Sequence, residues 1–406
     1  MAQKRKDKRT GWTWERTLIL LLAAAVLLLS VKYLRSVPDT LEKAERAPRA
    51  PAVFLKRRLG FGTGGSRPGA LTRKIQMQKG VNYVTWRPDR YFNPNSDRSL
   101  EAAAEAGVEW VALVTTWYQH DCSTTEIFPS IEKTPTDGSI AHAIRTIHSL
   151  GMKVLLKPQI DVLDVSGGAW RGEIVCVSEP DWRKWFESYG NFILYHADMA
   201  QKFKVDLLCI GVELTSVATM KDEWWRELVI GPTREIYDGP LVYAANWDKE
   251  YRDVTFWDAM DYVGIDAYFP LSDEKRPTFE ELKAGWHKWL VDIEDFQAEV
   301  DKPIIFTEVG YCSAPGAAIE PWIEIAVGKP DMELQADCYE AMLQTFWDKP
   351  WFYGVYWWKW GTDVRFGGPS NKGYSPQNKT AEKTLIDWYK KPAPRDPAIF
   401  KKEKGS

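Results

Sequence analysis

The sequence predicts an α/β protein: a single (β/α)8 TIM barrel preceded by an N-terminal transmembrane anchor and a flexible linker. Three observations predict it. From Gln76 onward, short apolar runs alternate with amphipathic helical stretches through eight strand–helix units. The runs are apolar without alternation, as strands buried on both faces of a parallel sheet are. Two of them, Leu207 to Val212 and Pro303 to Thr307, are followed directly by a glutamate, Glu213 and Glu308. A carboxylate at the end of a buried strand is costly unless a site uses it, and the active face of such a barrel lies at the carboxyl ends of its strands.

The elements follow in order. Strand one is Gly80–Thr85, with a helix over Ser99–Ala106. Strand two is Trp110–Thr115, and its helix, Ile140–Leu150, stops at Gly151. Strand three is Lys153–Lys157, followed by a long helix, Asp181–Phe203, whose start is marked by Pro180 and Asp181. Strand four is Leu207–Gly211, strand five Leu241–Ala244 and strand six Tyr262–Asp266. A helix over Thr278–Val300 leads to strand seven, Pro303–Thr307. Helix Leu334–Trp347 precedes strand eight, Phe352–Trp357, and a last helix, Thr380–Tyr389, closes the ring. Eight units in sequence favour closure over an open doubly wound sheet.

Outside the barrel, residues 1–16 are basic, with Lys4-Arg5-Lys6-Asp7-Lys8-Arg9. Residues 17–35 are predicted to form a signal anchor. Thr17–Val31 carries no charge, Tyr33 and Leu34 extend it, and Lys32 can snorkel. The basic side stays in the cytoplasm, which puts the catalytic domain in the periplasm or outside the cell. A cleaved signal peptide, giving a secreted protein, is the rival; the bulky, basic Val31–Arg35 offers no small-x-small cleavage site. Residues 36–75 mix Pro, Ala, Arg and Gly and read as a linker. The barrel domain spans 76–392, and 393–406 form a loose basic tail.

The chain has 406 residues and a formal net charge of −3, so composition suggests neither a polyanion binder nor an acidic solvating segment. No basic helix or arm near the barrel suggests nucleic acid. No CxxC pair occurs among the five Cys, no HExxH pattern among the five His, and no Gly-rich turn joins a strand to a helix in the frame of a nucleotide site. Neither metal nor cofactor is therefore expected. Cys122 and Cys176 fall in the loops after strands two and three and are a candidate disulfide in an oxidising compartment. The chain carries 21 Trp and 17 Tyr, and several Trp cluster at strand ends, where flat sugar faces stack on aromatic rings.

Two carboxyl groups about 5 Å apart across a sugar are the machinery of retaining glycoside hydrolysis. Glu213 and Glu308 come from strands on opposite sides of the barrel mouth and can converge at its centre. The bland alternative is that each merely ends a strand and pairs with Lys or Arg. Tyr268 can donate a hydrogen bond to Glu308 and hold it ionised. The remaining substrate-binding candidates are Trp86, Trp117, Lys157, Gln159, Asp161, Asn246, Trp247, Asp266, Trp357 and Trp358, all at strand ends. Lys157 stands out because a lysine ending a buried strand must point at something polar.

Several segments together resemble glycoside hydrolase family 113, a member of clan GH-A. They are Gly80-Val81-Asn82-Tyr83, Lys157-Pro158-Gln159-Ile160-Asp161, Trp170-Arg171-Gly172-Glu173, Ile210-Gly211-Val212-Glu213-Leu214, Gly264-Ile265-Asp266-Ala267-Tyr268-Phe269-Pro270 and Phe306-Thr307-Glu308-Val309-Gly310-Tyr311. The resemblance runs from about Gly80 to Trp388 and implies retaining cleavage of β-mannosidic bonds in an oligo- or polysaccharide. It implies Glu213 as acid/base, Glu308 as nucleophile, and Trp357 or Trp358 as the floor of the sugar site. One position departs from the pattern. Many clan members carry Asn directly before the acid/base, against the sugar 2-hydroxyl; here it is Val212. Asn246 or Lys157 is the substitute expected. Two further readings stay open: an envelope or exopolysaccharide glycosidase or transglycosylase of different sugar specificity, and a non-catalytic carbohydrate-binding barrel.

Overall fold

The structure, a computed structural model, describes residues 77–392 apart from 326 and 327. The expected anchor (17–35), the basic segment before it, the linker to residue 75 and the tail from 393 lie outside the described residues. Among the described residues no helix is long and apolar enough to cross a membrane.

Eight parallel strands form a closed barrel in sequence order. They are β1 (Gln78–Tyr83), β2 (Trp110–Gln119), β3 (Lys153–Val162), β4 (Leu207–Val212), β5 (Leu241–Asn246), β6 (Tyr262–Asp266), β7 (Ile304–Val309) and β8 (Phe352–Trp360). Closure comes from β1 pairing with β8, Gly80 opposite Tyr356. Around them lie α1 (Pro94–Glu105), α2 (Asp137–Ser149), α3 (Glu179–Phe203), α4 (Gly231–Ile236), α5 (Glu250–Asp253), α6 (Phe279–Val300), α7 (Met332–Phe346) and α8 (Thr380–Tyr389).

The barrel interior is layered. Leu155, Leu207, Cys209, Val242, Ala244, Ile305 and Tyr356 pack into a dry inner core. Gly80 makes room for Tyr356: a Cβ there would lie 2.3 Å from the tyrosine ring. Side chains alternate along each strand, so the next interior positions above Leu155 on β3 are Lys157 and then Gln159. Those above Ala244 on β5 and Gly264 on β6 are Asn246 and Asp266. The polar layer at the mouth therefore sits directly above this apolar layer.

Helix starts follow local chemistry. Asn93 caps α1, with Pro94 in its first turn, and Thr136 caps α2. Ser178 caps α3, and Thr278 with Glu281 forms a capping box on α6. Gly151, at φ 79, ends α2 as expected. Two differences from the sequence reading bear on function. Strands β2 and β3 run well past the expected Thr115 and Lys157, paired in register to Gln119 and Val162. An antiparallel bridge from Tyr118 to Phe128 covers that extension. And β4 is followed by unforeseen helical turns, Thr215–Ala218 and then Asp222 into α4, the latter including a π-helical stretch, Trp225–Ile230.

Candidate active site

The mouth is built around Lys157. Its side chain is fully buried. Nζ lies 2.5 Å from Glu308 Oε1 and 3.4 Å from Asp266 Oδ1. Tyr268 donates its hydroxyl to the other oxygen of Glu308, Oε2, at 2.7 Å. Thr307 donates to Asp266 Oδ1 at 2.7 Å. Across the interior, Asn82 on β1 donates its amide to the carbonyls of Thr307 and Tyr356, tying β1 to β7 beside Glu308. Both Glu308 oxygens thus accept hydrogen bonds, one of them from a cation.

Glu213 is held differently. It has φ 49, left-handed backbone that non-glycine residues rarely adopt, and such outliers cluster at functional sites. Its amide donates to the Ala244 carbonyl at 2.8 Å, just past a register shift between Cys209 and Val212. Register shifts recur towards the mouth between β6 and β7 and between β7 and β8; such irregularities re-aim strand-end side chains. Arg171 Nη1 donates to Glu213 Oε2 at 2.8 Å, and Asn246 Nδ2 donates to Oε1 at 2.9 Å. Arg171 also pairs with Asp161 at 2.7 Å. Behind Asn246, Glu250 accepts the Asn246 amide (2.9 Å), the Thr215 hydroxyl (2.8 Å) and the Tyr243 hydroxyl (2.5 Å).

The electrostatics divide the acids. Burial raises the Glu213 carboxyl above the ordinary range; the Arg171 charge opposes this and the Glu308 charge adds to it. Burial and the neighbouring Glu308 push Asp266 up well above the usual carboxylate value. Burial pulls Lys157 down, but the Asp266 and Glu308 charges outweigh it and leave its ammonium more basic than usual. Burial thus favours the protonated form of Glu213 and Asp266, while the two carboxylates beside it favour the charged form of Lys157. The charges of both Glu213 and Glu308 act on Arg171, and that of Glu308 acts on Glu213, so the two carboxyls are electrostatic neighbours.

Several sequence candidates converge here: Glu213, Glu308, Lys157, Asp161, Asn246, Asp266 and Tyr268. Gln159 is buried two residues above Lys157. Trp358 stands at the mouth, half-buried, its backbone close against Gly310, two residues past Glu308. Trp247 is half-buried on the rim, stacked on Trp322 with ring centroids 5.1 Å apart. Trp86 is 39% exposed above β1.

Two of the tryptophans expected at the mouth lie elsewhere. Trp117 faces the helices, not the mouth, packed on Phe192, Tyr195 and His196. Trp357 is likewise turned outward and stacks on Tyr339 at 3.5 Å. Alternation along the strand is the reason: of adjacent Trp357 and Trp358, only one can reach the mouth. The Cys122–Cys176 bridge does not form; both thiols are free. The Val175 amide bonds the Cys122 carbonyl, but Cys176 turns into the core while the Cys122 thiol faces the Trp170 carbonyl.

Arg171 and Glu250 are the site residues whose roles the sequence did not give. The segment carrying Arg171 is visible as a motif, yet nothing local says that it folds back 42 residues onto Glu213. Glu250 lies in an unremarkable polar turn, and only its burial marks it.

Burial pushes the Glu250 carboxyl up to about 7, against the hydrogen bonds from Tyr243, Asn246 and Thr215. The folded protein therefore holds this proton where the unfolded chain, titrating near the ordinary glutamate value, has released it. In that window the native state binds more protons, so raising the pH towards 7 lowers stability, by up to roughly 3 kcal/mol for this group. Glu250→Gln is expected to flatten that part of the stability–pH curve in denaturant titrations. An unchanged slope would contradict a proton held at Glu250.

Residues 83–379 match the family described as Glycoside Hydrolase Family 113. Among solved structures, the chain is similar to a GH113 β-mannanase, AaManA from Alicyclobacillus acidocaldarius, in complex with ManMIm. The two share 28% identity at a TM-score of 0.70, over 78% of this chain and 97% of that one. A GH113 β-1,4-mannanase is 27% identical at a TM-score of 0.69, over 78% of this chain and 99% of that one. A family 5 mannosidase from Rhizomucor miehei, 12% identical at a TM-score of 0.53 over 82% of this chain and 95% of that one, shares the fold. A comparison with curated protein sequences gives no match. With the family matched from the last residue of β1 to the residue before α8, the chain belongs to glycoside hydrolase family 113.

Proposed function

We propose that this glycoside hydrolase cleaves β-1,4-mannan or a related β-glycan with retention, Glu308 acting as nucleophile and Glu213 as acid/base. The observation that carries the reading is the opposite treatment of the two carboxyls. Glu308 takes the Lys157 ammonium and the Tyr268 hydroxyl on its two oxygens, so both are held and oriented by donors. Glu213 is pushed by burial towards the protonated form. Such a split is how one site holds an acid beside a nucleophile. Likeness to solved β-mannanases supports mannan as the substrate.

In the first step a Glu308 oxygen attacks the anomeric carbon while the Glu213 proton passes to the departing glycosidic oxygen. This leaves a covalent glycosyl-enzyme and a free sugar end. In the second step the Glu213 carboxylate takes a proton from water, whose oxygen displaces Glu308 and restores the original anomeric configuration. Arg171 stabilises the Glu213 carboxylate between the steps. A sugar hydroxyl in place of that water gives transglycosylation by the same chemistry. Val212, in the position of the clan's usual Asn, is buried in the inner core. We assign the sugar-facing amide to Asn246, which donates to Glu213 from the neighbouring strand. Trp358, and Trp247 with its partner Trp322, supply the flat apolar surface on which a sugar ring stacks.

The uncharged run of residues 17–31, with basic residues on both sides, supports a membrane anchor that holds the barrel outside the cytoplasm. The full-length chain is then expected to stay with membranes through an alkaline carbonate wash, and to be released when 17–35 are deleted. Release of the intact chain by the wash would rule the anchor out.

Glu308→Ala is expected to lower turnover of β-mannan by at least about a thousandfold. Azide should restore part of the activity and yield the glycosyl azide of inverted configuration. Near wild-type hydrolysis by this variant would end the assignment. Arg171→Met removes the charge that opposes protonation of Glu213. The alkaline limb of the kcat/KM profile should therefore move to higher pH, and an unmoved limb would mean that Glu213 does not set it.

A further inference from the structure

Above the C-terminal ends of β1 and β8, which are neighbours in the sheet, lies a cleft of about 450 Å³ that neither Glu213 nor Glu308 lines. Its wall includes Trp86, Arg87, Arg90, Lys359, Asp363 and Phe366. It opens on the same barrel face as the carboxylate pair, and Lys359 directly follows Trp358 at the mouth.

Three cations thus face one carboxylate, and that carboxylate is already engaged. Asp363 takes the Arg365 guanidinium at 3.1 Å and Arg90 at 3.5 Å. Arg90 is further tied down by Thr362, whose hydroxyl accepts from Nε at 2.9 Å. Arg87 and Lys359 have no carboxylate partner among the described residues. Lys359 instead hangs over the Trp86 ring, 5.3 Å from its centroid, and 5.8 Å from that of Trp358. The chain as a whole has a formal net charge of −3, so this basic cleft does not belong to a general excess of positive charge.

A neutral sugar gives such a wall little to do: it stacks on the indole and leaves the cations to water. A sugar bearing a carboxylate satisfies both halves. Its apolar ring face packs on Trp86, and its acid group pairs with Lys359 and Arg87 through charge-assisted hydrogen bonds. We propose that this cleft is a subsite for an acidic sugar unit, so that the glycan accepted here carries carboxylate groups away from the bond being cut. The proposal deepens the glycosidase reading and rests on it for the identity of the ligand as a glycan.

The probes are β-1,4-mannohexaose and the same oligosaccharide oxidised at C6 to carboxylates, titrated calorimetrically into the full chain carrying Glu308→Gln, which binds without turnover. The oxidised oligosaccharide should bind about tenfold tighter in roughly 0.02 M salt, and the difference should largely disappear near 0.5 M. Adding Arg87→Gln and Lys359→Gln, both at solvent-accessible positions, should bring the ratio of the two affinities to about one. Arg90 is left intact because it holds the β8 loop. Equal affinities before those substitutions, a preference that survives them, or no binding of the oxidised probe would each overturn the subsite. The two readings fail separately. Hydrolysis of neutral mannan by the unsubstituted enzyme without any charge preference removes the subsite and leaves the glycosidase. A salt-sensitive preference without hydrolysis of either oligosaccharide removes the proposed chemistry and leaves the subsite.

Discussion

A lysine that is completely buried at the top of a barrel dictates much of what surrounds it. Lys157 has left water, and an isolated ammonium there would be prohibitively costly. Contact with Glu308 at 2.5 Å offsets that cost, and Asp266 stands behind it at 3.4 Å. The constraint is mutual. Removing one member of a buried pair leaves the other uncompensated, commonly at about 3–5 kcal/mol. Lys157, Asp266 and Glu308 sit on three different strands, so the pairing also sets how β3, β6 and β7 meet at the mouth. A residue on β1, Asn82, adds a further tie through the backbone of β7.

The second half of the site answers a different requirement. In its proposed role as acid, Glu213 has to keep its proton in the resting protein yet release it during the reaction, so its surroundings have to be balanced between the two states. Burial pushes Glu213 one way and Arg171 pushes it the other. Arg171 is itself divided between Glu213 and Asp161, which softens its grip on either. Positive φ at Glu213 and the register shift before it turn the side chain into the cleft instead of continuing the β4 ladder. Glu250 completes the arrangement from behind: it fixes the backbone of Asn246, and through it the amide that touches Glu213.

The abundance of tryptophan has a mostly structural explanation. Trp185, Trp225, Trp286, Trp357 and Trp360 are fully buried. The packing between α3 and the strands is a network of aromatic contacts, such as Trp117 of β2 on Phe192 at 5.3 Å. Rings available to a sugar are fewer and lie at the rim: Trp86, Trp247 and Trp322 on loops and Trp358 near the end of β8. This division separates a rigid wall, which holds the strand ends in register, from a rim whose side chains are free to meet a ligand.

By itself the sequence determined the barrel and its polar mouth. Runs apolar on both faces, separated by helices of amphipathic period, leave few other folds, and a charged residue ending such a run has nowhere to go but the open end. That is why Glu213, Glu308, Lys157, Asp266 and Tyr268 were legible as a set, and why Tyr268 was legible as a partner of Glu308. What only the tertiary structure decided is which neighbours are shared over long separations. Arg171 reaches Glu213 from a loop, Glu250 acts through a single backbone amide, and both depend on the path of the chain between strands, which no local pattern encodes. The facing of Trp117 and of Trp357 against Trp358 was decided in the same way. With a period of two, a shift of one residue sends a ring from the mouth to the helices, and strand ends read from apolarity alone are uncertain by more than that. The fold follows from periodicity, a local property; the different surroundings of Glu213 and Glu308, and the choice of rings that form the wall, follow from contacts that exist only once the barrel has closed.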